Sequence, residues 1–426
     1  MTAGGNSTRF KYVVLLLLFL GWCLGNLDRF VINYAVIDIT GDLGLSASAQ
    51  GLILSSFFLG YAIMQIPGGA LADRFGYRRV IIVAVLLWSI FTALTGMAWS
   101  LGSLIAVRFV FGLGEGSFFP SGSKAIASTF PRNQRSRAMS IMLASGAIMG
   151  VVTPLISGPA LESIGWRNLF YIIGAIGVVV TLLLFFFLKE SSPSASQVVA
   201  QSESSEALKP KASLKSVLKT PMIWNLFIGY FSIYAINWGL QSWMPTYMSK
   251  VQGLDMTEIG TLAAIPAVVG IFAMIFSGYL LDRIPAGMDR KIASVLALLT
   301  AVALYLMSHA GSIAMFVFYQ TIVTILAGFV STLIITKSLK TMPESVVATA
   351  NGFINTGAQL AGFLTPMLIG FLVDASGGSY ETAFIMLIVF AVLCSLSLVL
   401  TRTSRTDDGS GSAEKRPYSD PQPSAR

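Results

Sequence analysis

Four charged side chains lie inside apolar stretches that are long enough to cross a lipid bilayer. Asp28 and Arg29 are adjacent in the first such stretch, and Arg108 and Glu115 share a later one. A charge at the centre of a membrane helix costs about 2.5–3.5 kcal/mol on insertion scales, so it is retained where it faces protein or a polar cavity. Two acids and two arginines in two segments therefore predict a polar cavity or ion pathway, which is typical of a transporter.

The composition is that of an integral membrane protein. Hydrophobic residues make up 54% of the 426 residues and charged residues only 11%, and the mean hydropathy is +0.74, outside the range of soluble domains. Apolar runs of about twenty residues recur between charged or Pro/Gly-rich turns. They predict twelve membrane-spanning helices, near residues 12–37, 50–72, 80–101, 103–129, 138–160, 168–188, 222–249, 257–281, 291–309, 313–341, 346–372 and 381–401.

The net charge of +8 is explained by membrane topology and does not indicate nucleic-acid binding, because the basic residues form no patch with interleaved aromatic side chains. If both termini are cytoplasmic, the Lys and Arg residues outside the helices fall on the cytoplasmic side, except Arg167 and Lys250. The positive-inside rule therefore predicts cytoplasmic termini. Short loops and tails favour the bacterial inner membrane.

Catalytic, redox and metal chemistry are not indicated. Cys23 and Cys394 are the only cysteines and each lies in a predicted helix, so neither a disulfide framework nor a cysteine metal site is supported. His309 falls near an outer helix end, where a histidine proton relay is not expected. No nucleotide-binding loop, metal-ligand cluster or nucleophile elbow accompanies the helices, so the chain is not predicted to be an enzyme.

The sequence contains an internal repeat. GALADR at 69–74 matches GYLLDR at 278–283, an offset of 209 residues, and TPLISG at 153–158 matches TPMLIG at 365–370, an offset of 212. Repeated six-helix units place a substrate site at the interface between halves, near mid-membrane. The predicted fold is therefore an all-α membrane protein with twelve transmembrane helices in two pseudo-symmetric six-helix bundles.

The domain boundaries follow from this duplication. Residues 1–190 are predicted to form the N-terminal bundle and residues 221–401 the C-terminal bundle. Residues 191–220 are rich in Ser, Glu and Lys and are predicted to be a flexible cytoplasmic linker. The polar tail 402–426 is predicted to be a disordered cytoplasmic segment.

Several motifs resemble a known family. The turn GALADRFGYRR is similar to the signature loop of the major facilitator superfamily, and its weaker copy falls between helices 8 and 9. LDR in helix 1, SSFFLGYAIMQIPGGALADRFG across helix 2 and RFVFGLGEGSFFPS in helix 4 resemble the anion:cation symporters. These include bacterial galactonate, glucarate and hexuronate transporters and, more distantly, sialin and vesicular glutamate transporters. The resemblance implies a monomer that takes up a small organic anion with protons, which are the coupling ion, and without another cofactor.

The resemblance assigns proton coupling to Asp28 and Glu115. A low-dielectric cavity favours the neutral form of a carboxyl group unless a cation is near, which is the property that a proton carrier requires. A static ion pair with Arg29 or Arg108 is the alternative for each acid. We expect Arg108 to pair with Glu115 or Asp28 and to set their affinity for protons, with direct substrate contact as the other possibility.

Arg29 is the predicted substrate anchor. A guanidinium presents a planar fork to a carboxylate and keeps its charge, and the family counterpart has this role. Tyr61 matches a substrate-contacting tyrosine of the family, with packing as an equal alternative. Further predicted substrate contacts, for which packing or interhelical hydrogen bonds are the alternative, lie on helices 7, 10 and 11: Tyr234, Trp238, Gln241, Ser331, Thr332 and Asn355.

Helix 11 carries an amide stripe. Asn351, Asn355 and Gln359 recur every four residues. We expect this stripe to face the cavity, because an amide side chain that faces lipid finds no hydrogen-bond partner. Asn355 coincides with a hydroxyl-binding asparagine of the galactonate-type members. A substrate-contacting glutamine of helix 5 is replaced by Ala147, so the identity of the substrate does not transfer.

Charged residues at the cytoplasmic helix ends are predicted to form a gate, held by charged hydrogen bonds and a helix-terminus contact that break during the transport cycle. They are Asp73, Arg74, Arg78, Arg79, Asp282 and Arg283. Anchoring of the topology is the alternative for the first three arginines. Lys124 and Lys337 lie toward the same ends, where they snorkel to the interface or attract the anion.

Two other functions remain open for this pattern. A proton-coupled exporter is common in the superfamily, but helix 5 lacks the Gly-Pro antiporter motif at the expected place, since Gly158-Pro159 comes late. A membrane sensor derived from a transporter fold would bind its ligand without any flux.

Overall fold

The computed structural model describes residues 3–190, 220–281, 283, 288–342 and 344–401. The predicted tail, and all of the predicted linker except Thr220, lie outside these residues. The described chain is helical, and its helices in chain order are α1 (Ala3–Leu43), α2 (Ala47–Phe75), α3 (Tyr77–Gly96), α4 (Leu101–Gly116), α5 (Phe118–Thr129), α6 (Arg132–Phe187), α7 (Pro221–Lys250), α8 (Met256–Leu281), α9 (Asp289–Ser308), α10 (Ile313–Thr341), α11 (Glu344–Ala375) and α12 (Glu381–Leu400).

The helices account for the twelve predicted spans. Ten helical stretches in the described residues are long and apolar enough to cross a membrane, with α4 and α5 forming one stretch. The 56-residue α6 contains two of the predicted spans, because Gly165 interrupts it with a φ of 73°, a conformation that favours glycine. The 30-residue α7 also has the length of a span, and its polar residues lower its hydropathy below that of the ten.

The span predicted near 103–129 is confirmed as one apolar helical stretch, Leu101–Thr129. Its hydrogen-bond ladder breaks at Ser117, between α4 and α5, although the backbone there keeps right-handed helical dihedrals (φ −84°, ψ −16°). Pro120 explains the break, because proline has no N–H to bond the carbonyl four residues earlier and its ring clashes with that carbonyl. The carbonyl in question belongs to Gly116, the last residue of α4.

The two halves meet along a few helix pairs. Within the first half α1 packs on α6 and α2 on α4, and within the second half α7 packs on α11 and α9 on α12. Between the halves, α2 packs along α11, α6 along α8, and α1 touches α7. This arrangement of two six-helix bundles confirms the predicted fold class.

Two contacts between the halves are related to each other by the sequence repeat. Gly51 of α2 packs on the backbone of Pro366 in α11, and Gly260 of α8 packs on the backbone of Pro154 in α6. A Cβ at either glycine would overlap the facing carbonyl, so only glycine permits the approach. The two contacts are related by the repeat offsets of 209 and 212 residues. The duplication thus extends from sequence motifs to the interface itself.

Each contact is reinforced by an acid that binds a helix N-terminus. Asp374 accepts hydrogen bonds from the amides of Ala47 (3.1 Å) and Ser48 (2.8 Å) at the start of α2. Glu162 accepts them from the amide (3.1 Å) and hydroxyl (2.8 Å) of Thr257 at the start of α8. A carboxylate is favoured at such a site by the unpaired amides and the helix dipole.

We call the end of the bundle that carries these acids the closed end, and the opposite end, which carries the turn between α2 and α3, the open end. A side-chain hydrogen bond between the halves, from Gln50 to Thr246 (2.6 Å), also lies toward the closed end. Deeper in the bundle the ring of Phe58 meets that of Trp238 across the interface, with centroids 4.7 Å apart.

Removing both acids should open the closed end. Loss of an acceptor at a helix N-terminus costs about 0.5–2 kcal/mol, so Glu162→Ala and Asp374→Ala together should shift the population away from the closed-end contacts. Spin labels at Gly41→Cys and Ala375→Cys, in a background without the native cysteines, would report a longer distance by double electron–electron resonance. Gly41 has open space for a side chain, and Ala375 is exposed.

The matched control is Glu381→Ala, which removes an exposed acid at the same end whose carboxylate makes no hydrogen bond or ion pair within the described residues. It should leave the distance unchanged. An unchanged distance in the double variant would show that the acids do not hold this end shut.

Candidate functional site

The four intramembrane charges form two buried ion pairs between α1 and α4. Arg108 Nη1 lies 2.8 Å from Asp28 Oδ1, and Arg29 pairs with Glu115 Oε1. Asp28 and Arg108 are each 1% exposed, Glu115 is fully buried, and the Arg29 side chain keeps 13% exposure. The four charges sum to zero within a site that water barely reaches.

Helix geometry explains the cross-pairing. Adjacent residues on a helix point about 100° apart, so Asp28 and Arg29 face different neighbours, whereas residues seven apart, such as Arg108 and Glu115, share a face. Each arginine therefore reaches the acid on the other helix. Gly25 leaves room for this arrangement, because a Cβ there would lie 3.2 Å from Glu115 Oε1.

Asp28 has a second partner that the sequence analysis missed. The Thr92 hydroxyl of α3 donates to Asp28 Oδ2, so both carboxylate oxygens are hydrogen-bonded. The Arg108 guanidinium also lies between the rings of Phe111 (5.0 Å) and Phe170 (5.1 Å). Thr92 gives a weak sequence signal, because α3 carries Ser89 and Thr95 beside it and nothing in the pattern singles out one of these hydroxyls.

Arg29 lies among aromatic rings. Its guanidinium carbon is 4.9 Å from the ring centroids of both Phe57 and Tyr61 and 6.0 Å from that of Trp22. Tyr61 is 5% exposed, and its ring distance from Arg29 places it against the predicted anchor. Cation–π contacts of this kind favour the cation, and the Tyr61 side chain is also a hydrogen-bond partner of Arg29.

Several polar atoms of this cluster remain without a hydrogen-bond partner among the described residues. They include the second carboxylate oxygen of Glu115 and the Nε of Arg29, together with the Nε and Nη2 of Arg108. A buried donor or acceptor without a partner costs about 1–3 kcal/mol. In the Arg29–Glu115 pair, the unpaired Glu115 oxygen can therefore still accept a proton, and the Nε–H of Arg29 can still donate to a further acceptor.

A cavity of about 230 Å³ lies between the halves, next to this cluster. The substrate contacts predicted on α7, Tyr234, Trp238 and Gln241, all line the cavity, and so does Asn237. Tyr230, one turn before Tyr234, is buried, and its hydroxyl donates a hydrogen bond to the Tyr234 hydroxyl at 3.2 Å.

The cavity also contains polar residues that the sequence analysis missed. Asn33 of α1 and Gln320 and Thr324 of α10 line it. Asn33 follows Arg29 by four residues and so lies on the same helix face, and Gln320 is an isolated amide within an apolar run. The four-residue spacing of Asn33 and the isolated amide of Gln320 are the sequence features that could have identified these two cavity residues.

The remaining predicted substrate contacts lie away from the cavity lining. Ser331 and Thr332 both donate to the carbonyl of Gly328 within α10. Asn355 is exposed on α11, and Asn351 is half-buried with its side-chain oxygen unpaired within the described residues. The structure brings none of them to the 230 Å³ cavity.

The predicted gating residues that the structure describes lie at the open end and make contacts inside their own half. Lys124 Nζ bonds Asp73 Oδ1 (2.9 Å) and the carbonyl of Ala72 (2.8 Å). Arg78 binds the carbonyls of Leu188 and Phe185. Lys124 is thus held by the signature turn. Arg74 and Arg79 are exposed there, with the Arg74 guanidinium 5.2 Å from the ring of Phe75.

The second half shows a related pattern. Lys337 is 8% exposed and bonds Asp289 Oδ2 at 2.9 Å, at the start of α9. Arg283 is exposed and contacts the hydroxyl of Tyr279. Asp282 lies outside the described residues. Both lysines therefore occupy ion pairs at the open end.

The model of the Major Facilitator Superfamily matches residues 18–366. The chain belongs to this superfamily. Its members are transporters, so the protein is a membrane transporter and not an enzyme. The resemblance seen in the signature turn is thereby confirmed.

Several curated relatives of this superfamily member are named as transporters of organic acids. A probable sulfoacetate transporter of Cupriavidus necator is 30% identical over 396 residues, covering 88% of this chain and 90% of that protein. A probable galactarate/D-glucarate transporter of Escherichia coli K12 is 28% identical, covering 91% and 94%. The hexuronate transporter of Bacillus subtilis is also 28% identical, covering 91% of this chain and 94% of that protein.

Solved structures share the superfamily fold. A bacterial homologue of the human lysosomal transporter Spinster, in an inward-facing and occupied conformation, matches with a TM-score of 0.80 at 22% identity, covering 92% of this chain and 97% of that one. A D-xylose–proton symporter matches with a TM-score of 0.72 at 15% identity, covering 91% and 97%. These likenesses support the fold of this transporter.

Breaking the Arg108–Asp28 pair should destabilise the transporter strongly. Arg108→Gln leaves Asp28 as a buried carboxylate without its cation, a change that costs about 3–5 kcal/mol. The double variant with Asp28→Asn should recover most of this loss, because two neutral amides remain. Denaturant or thermal unfolding of the purified protein in detergent would measure both effects.

Arg167→Gln is the matched control. Arg167 pairs with Asp42 at 3.4 Å, and their side chains are 42% and 56% exposed, so its loss should cost at most about 1 kcal/mol. Equal stability of Arg108→Gln and Arg167→Gln would contradict the buried-pair interpretation.

Proposed function

We propose that this protein is a secondary active transporter that carries a small organic anion together with a proton by alternating access. The observation that carries the proposal is the buried Arg29–Glu115 ion pair, in which the predicted anion anchor is held by an acid with one unpaired oxygen. The transporters of sulfoacetate, of galactarate and glucarate, and of hexuronates among the relatives support an organic anion as the substrate.

Competition for Arg29 couples the two ligands. A substrate carboxylate that binds the Arg29 guanidinium must replace Glu115, because both are anions that seek the same donors. A proton on Glu115 removes its charge and weakens its hold on Arg29. The proton therefore prepares the anchor for the anion.

Charge balance then favours closure around the loaded site. The four side chains are neutral as a set, so a proton alone leaves one positive charge and an anion alone leaves one negative charge. Together they restore neutrality, and an uncompensated charge in a closed, low-dielectric site is costly. Asp28, paired with Arg108 and Thr92, is the second proton-coupling acid of this proposal, and Arg108 is its partner in that role.

The open end faces the cytoplasm in this proposal, with both termini on that side of a bacterial cell membrane. The basic residues of the loops support this orientation. The closed-end acids Glu162 and Asp374 then seal the outside, while Asp73 and Arg78 belong to the cytoplasmic gate. That gate would close as the outer contacts break.

Uptake into proteoliposomes tests the proposal. A panel of radiolabelled sugar acids and simple carboxylates is offered with and without an inward proton gradient. The wild type should accumulate at least one anion only with the gradient. Asp28→Asn and Glu115→Gln should abolish accumulation and retain part of the exchange, whereas Arg29→Lys should reduce both, because an ammonium lacks the planar fork.

Glu381→Gln, at an exposed surface acid, is the control and should transport as the wild type does. Proton-driven extrusion of a lipophilic cation without uptake of any anion would replace the symporter with an exporter. Binding of an anion without any flux would indicate a sensor instead.

A further inference from the structure

The Thr92 hydroxyl of α3 lies within hydrogen-bond distance of two acceptors. One is Asp28 Oδ2 on α1, and the other is the carbonyl of Trp88, one turn earlier in α3, at 2.9 Å. A hydroxyl group carries a single hydrogen, so it donates to one of these acceptors at a time. Thr92 is 1% exposed, so water does not replace either partner.

The neighbouring hydroxyls of the same helix have one acceptor each among the described residues. Ser89 donates to the carbonyl of Val85 at 2.6 Å, and Thr95 donates to that of Phe91 at 3.0 Å. Both side chains are buried as well. A bond to the carbonyl four residues earlier is thus the ordinary state of a hydroxyl in α3, and Thr92 differs from it through the acid that it faces.

Both oxygens of Asp28 have a donor when the acid is ionised. Arg108 binds Oδ1 at 2.8 Å, and Thr92 donates to Oδ2. Hydrogen bonds to an ionised acceptor are about twice as strong as neutral ones, so the Thr92 hydrogen points to Asp28 while that acid is charged. The Trp88 carbonyl still has a partner in this state, because it keeps the helical bond from the Thr92 amide.

A proton on Asp28 reverses the direction of this bond. The proton adds to Oδ2, because Oδ1 continues to accept from Arg108. The new O–H group needs an acceptor, since it is buried in a side chain that is 1% exposed. The Thr92 oxygen is that acceptor once its own hydrogen turns to the Trp88 carbonyl. No covalent bond of Thr92 changes, because the hydroxyl only rotates about its Cβ–Oγ bond.

We propose that Thr92 is a positioning residue for proton coupling, whose hydroxyl donates to Asp28 when the acid is charged and accepts from it when the acid is protonated. This inference rests on the proposed function, in which Asp28 carries a proton. The charged groups that face Asp28 are Arg108 and Glu115 of α4 and its neighbour Arg29 on α1. Thr92 thus allows the buried acid to gain and lose a proton without leaving a polar atom unpaired.

Infrared difference spectroscopy of the full-length transporter in proteoliposomes tests the proposal. Spectra taken between mildly alkaline and mildly acidic pH, with and without the best-transported anion, show the carbonyl stretch of each carboxyl group that gains a proton. The band that is missing from Asp28→Asn belongs to Asp28. In Thr92→Val this band should move to higher wavenumber, because the protonated carboxyl group has lost its hydrogen-bond partner.

Two further variants separate the hydroxyl from the packing of the side chain. Thr92→Ala also lacks the hydroxyl and should move the Asp28 band in the same direction as Thr92→Val does. Thr92→Ser keeps the hydroxyl and loses only a methyl group, so it should leave the band at the wild-type position.

Transport provides an independent readout. Accumulation driven by an inward proton gradient requires Asp28 to gain and lose its proton in each cycle, whereas anion exchange does not. Thr92→Val should therefore slow accumulation by about tenfold, the change that corresponds to one buried hydrogen bond, and should leave exchange near the wild-type rate. Thr95→Val is the matched control, because Thr95 is buried on the same helix and bonds the carbonyl of Phe91. It should change neither rate.

Two outcomes would overturn the proposal and leave the proposed symport intact. The first is an Asp28 band at the wild-type position in both Thr92→Val and Thr92→Ala, and the second is equal slowing of accumulation by Thr92→Val and Thr95→Val. The absence of any Asp28 band in a wild type that accumulates an anion would remove Asp28 from proton coupling. A wild type that accumulates no anion rejects the proposed function itself, and this inference is rejected in either case.

Discussion

The buried charges of α1 and α4 are the constraint on which the rest of the structure depends. Each charge placed alone in a bilayer is costly, and the two cross-paired arginines and acids reduce that cost by compensating one another. The pairs bridge α1 and α4 through their long side chains, and Gly25 leaves room for the Glu115 carboxylate. They also leave polar atoms unpaired, so the cluster has no net charge but some of its hydrogen-bonding atoms lack partners.

A neutral cluster in the first half that borders the interface with the second can be exposed to either side without moving charge through lipid. The pseudo-symmetric contacts at the closed end join the two halves at two related places. Asp374 and Glu162 each bind the N-terminus of a helix in the opposite half. Because these acids are exposed or near the surface, their contacts are weaker than the buried pairs. Breaking these surface contacts therefore costs less free energy than breaking the buried pairs.

The helices and the four charges could be predicted because apolar length and intramembrane charge are local properties of a sequence. Arg108 pairs with Asp28, one of the two acids expected for it, but helical spacing alone left both combinations open. The Asp374 contact joins residues 327 positions apart and depends on how two helix ends meet. Asn355 has the spacing of a cavity residue but is exposed and lies outside the cavity lining, because helical spacing does not fix which neighbour a helix face meets.

The pH dependence of anion binding is the most direct test of competition for Arg29. Affinity for the best-transported anion would be measured by calorimetry across mildly acidic to mildly alkaline pH in the wild type and in Glu115→Gln. The wild-type affinity should fall as pH rises, by at most about tenfold per unit for one linked proton, because deprotonated Glu115 reclaims Arg29. Glu115→Gln should lose the part of this pH dependence that Glu115 contributes, and retention of the full wild-type pH dependence in this variant would contradict the account.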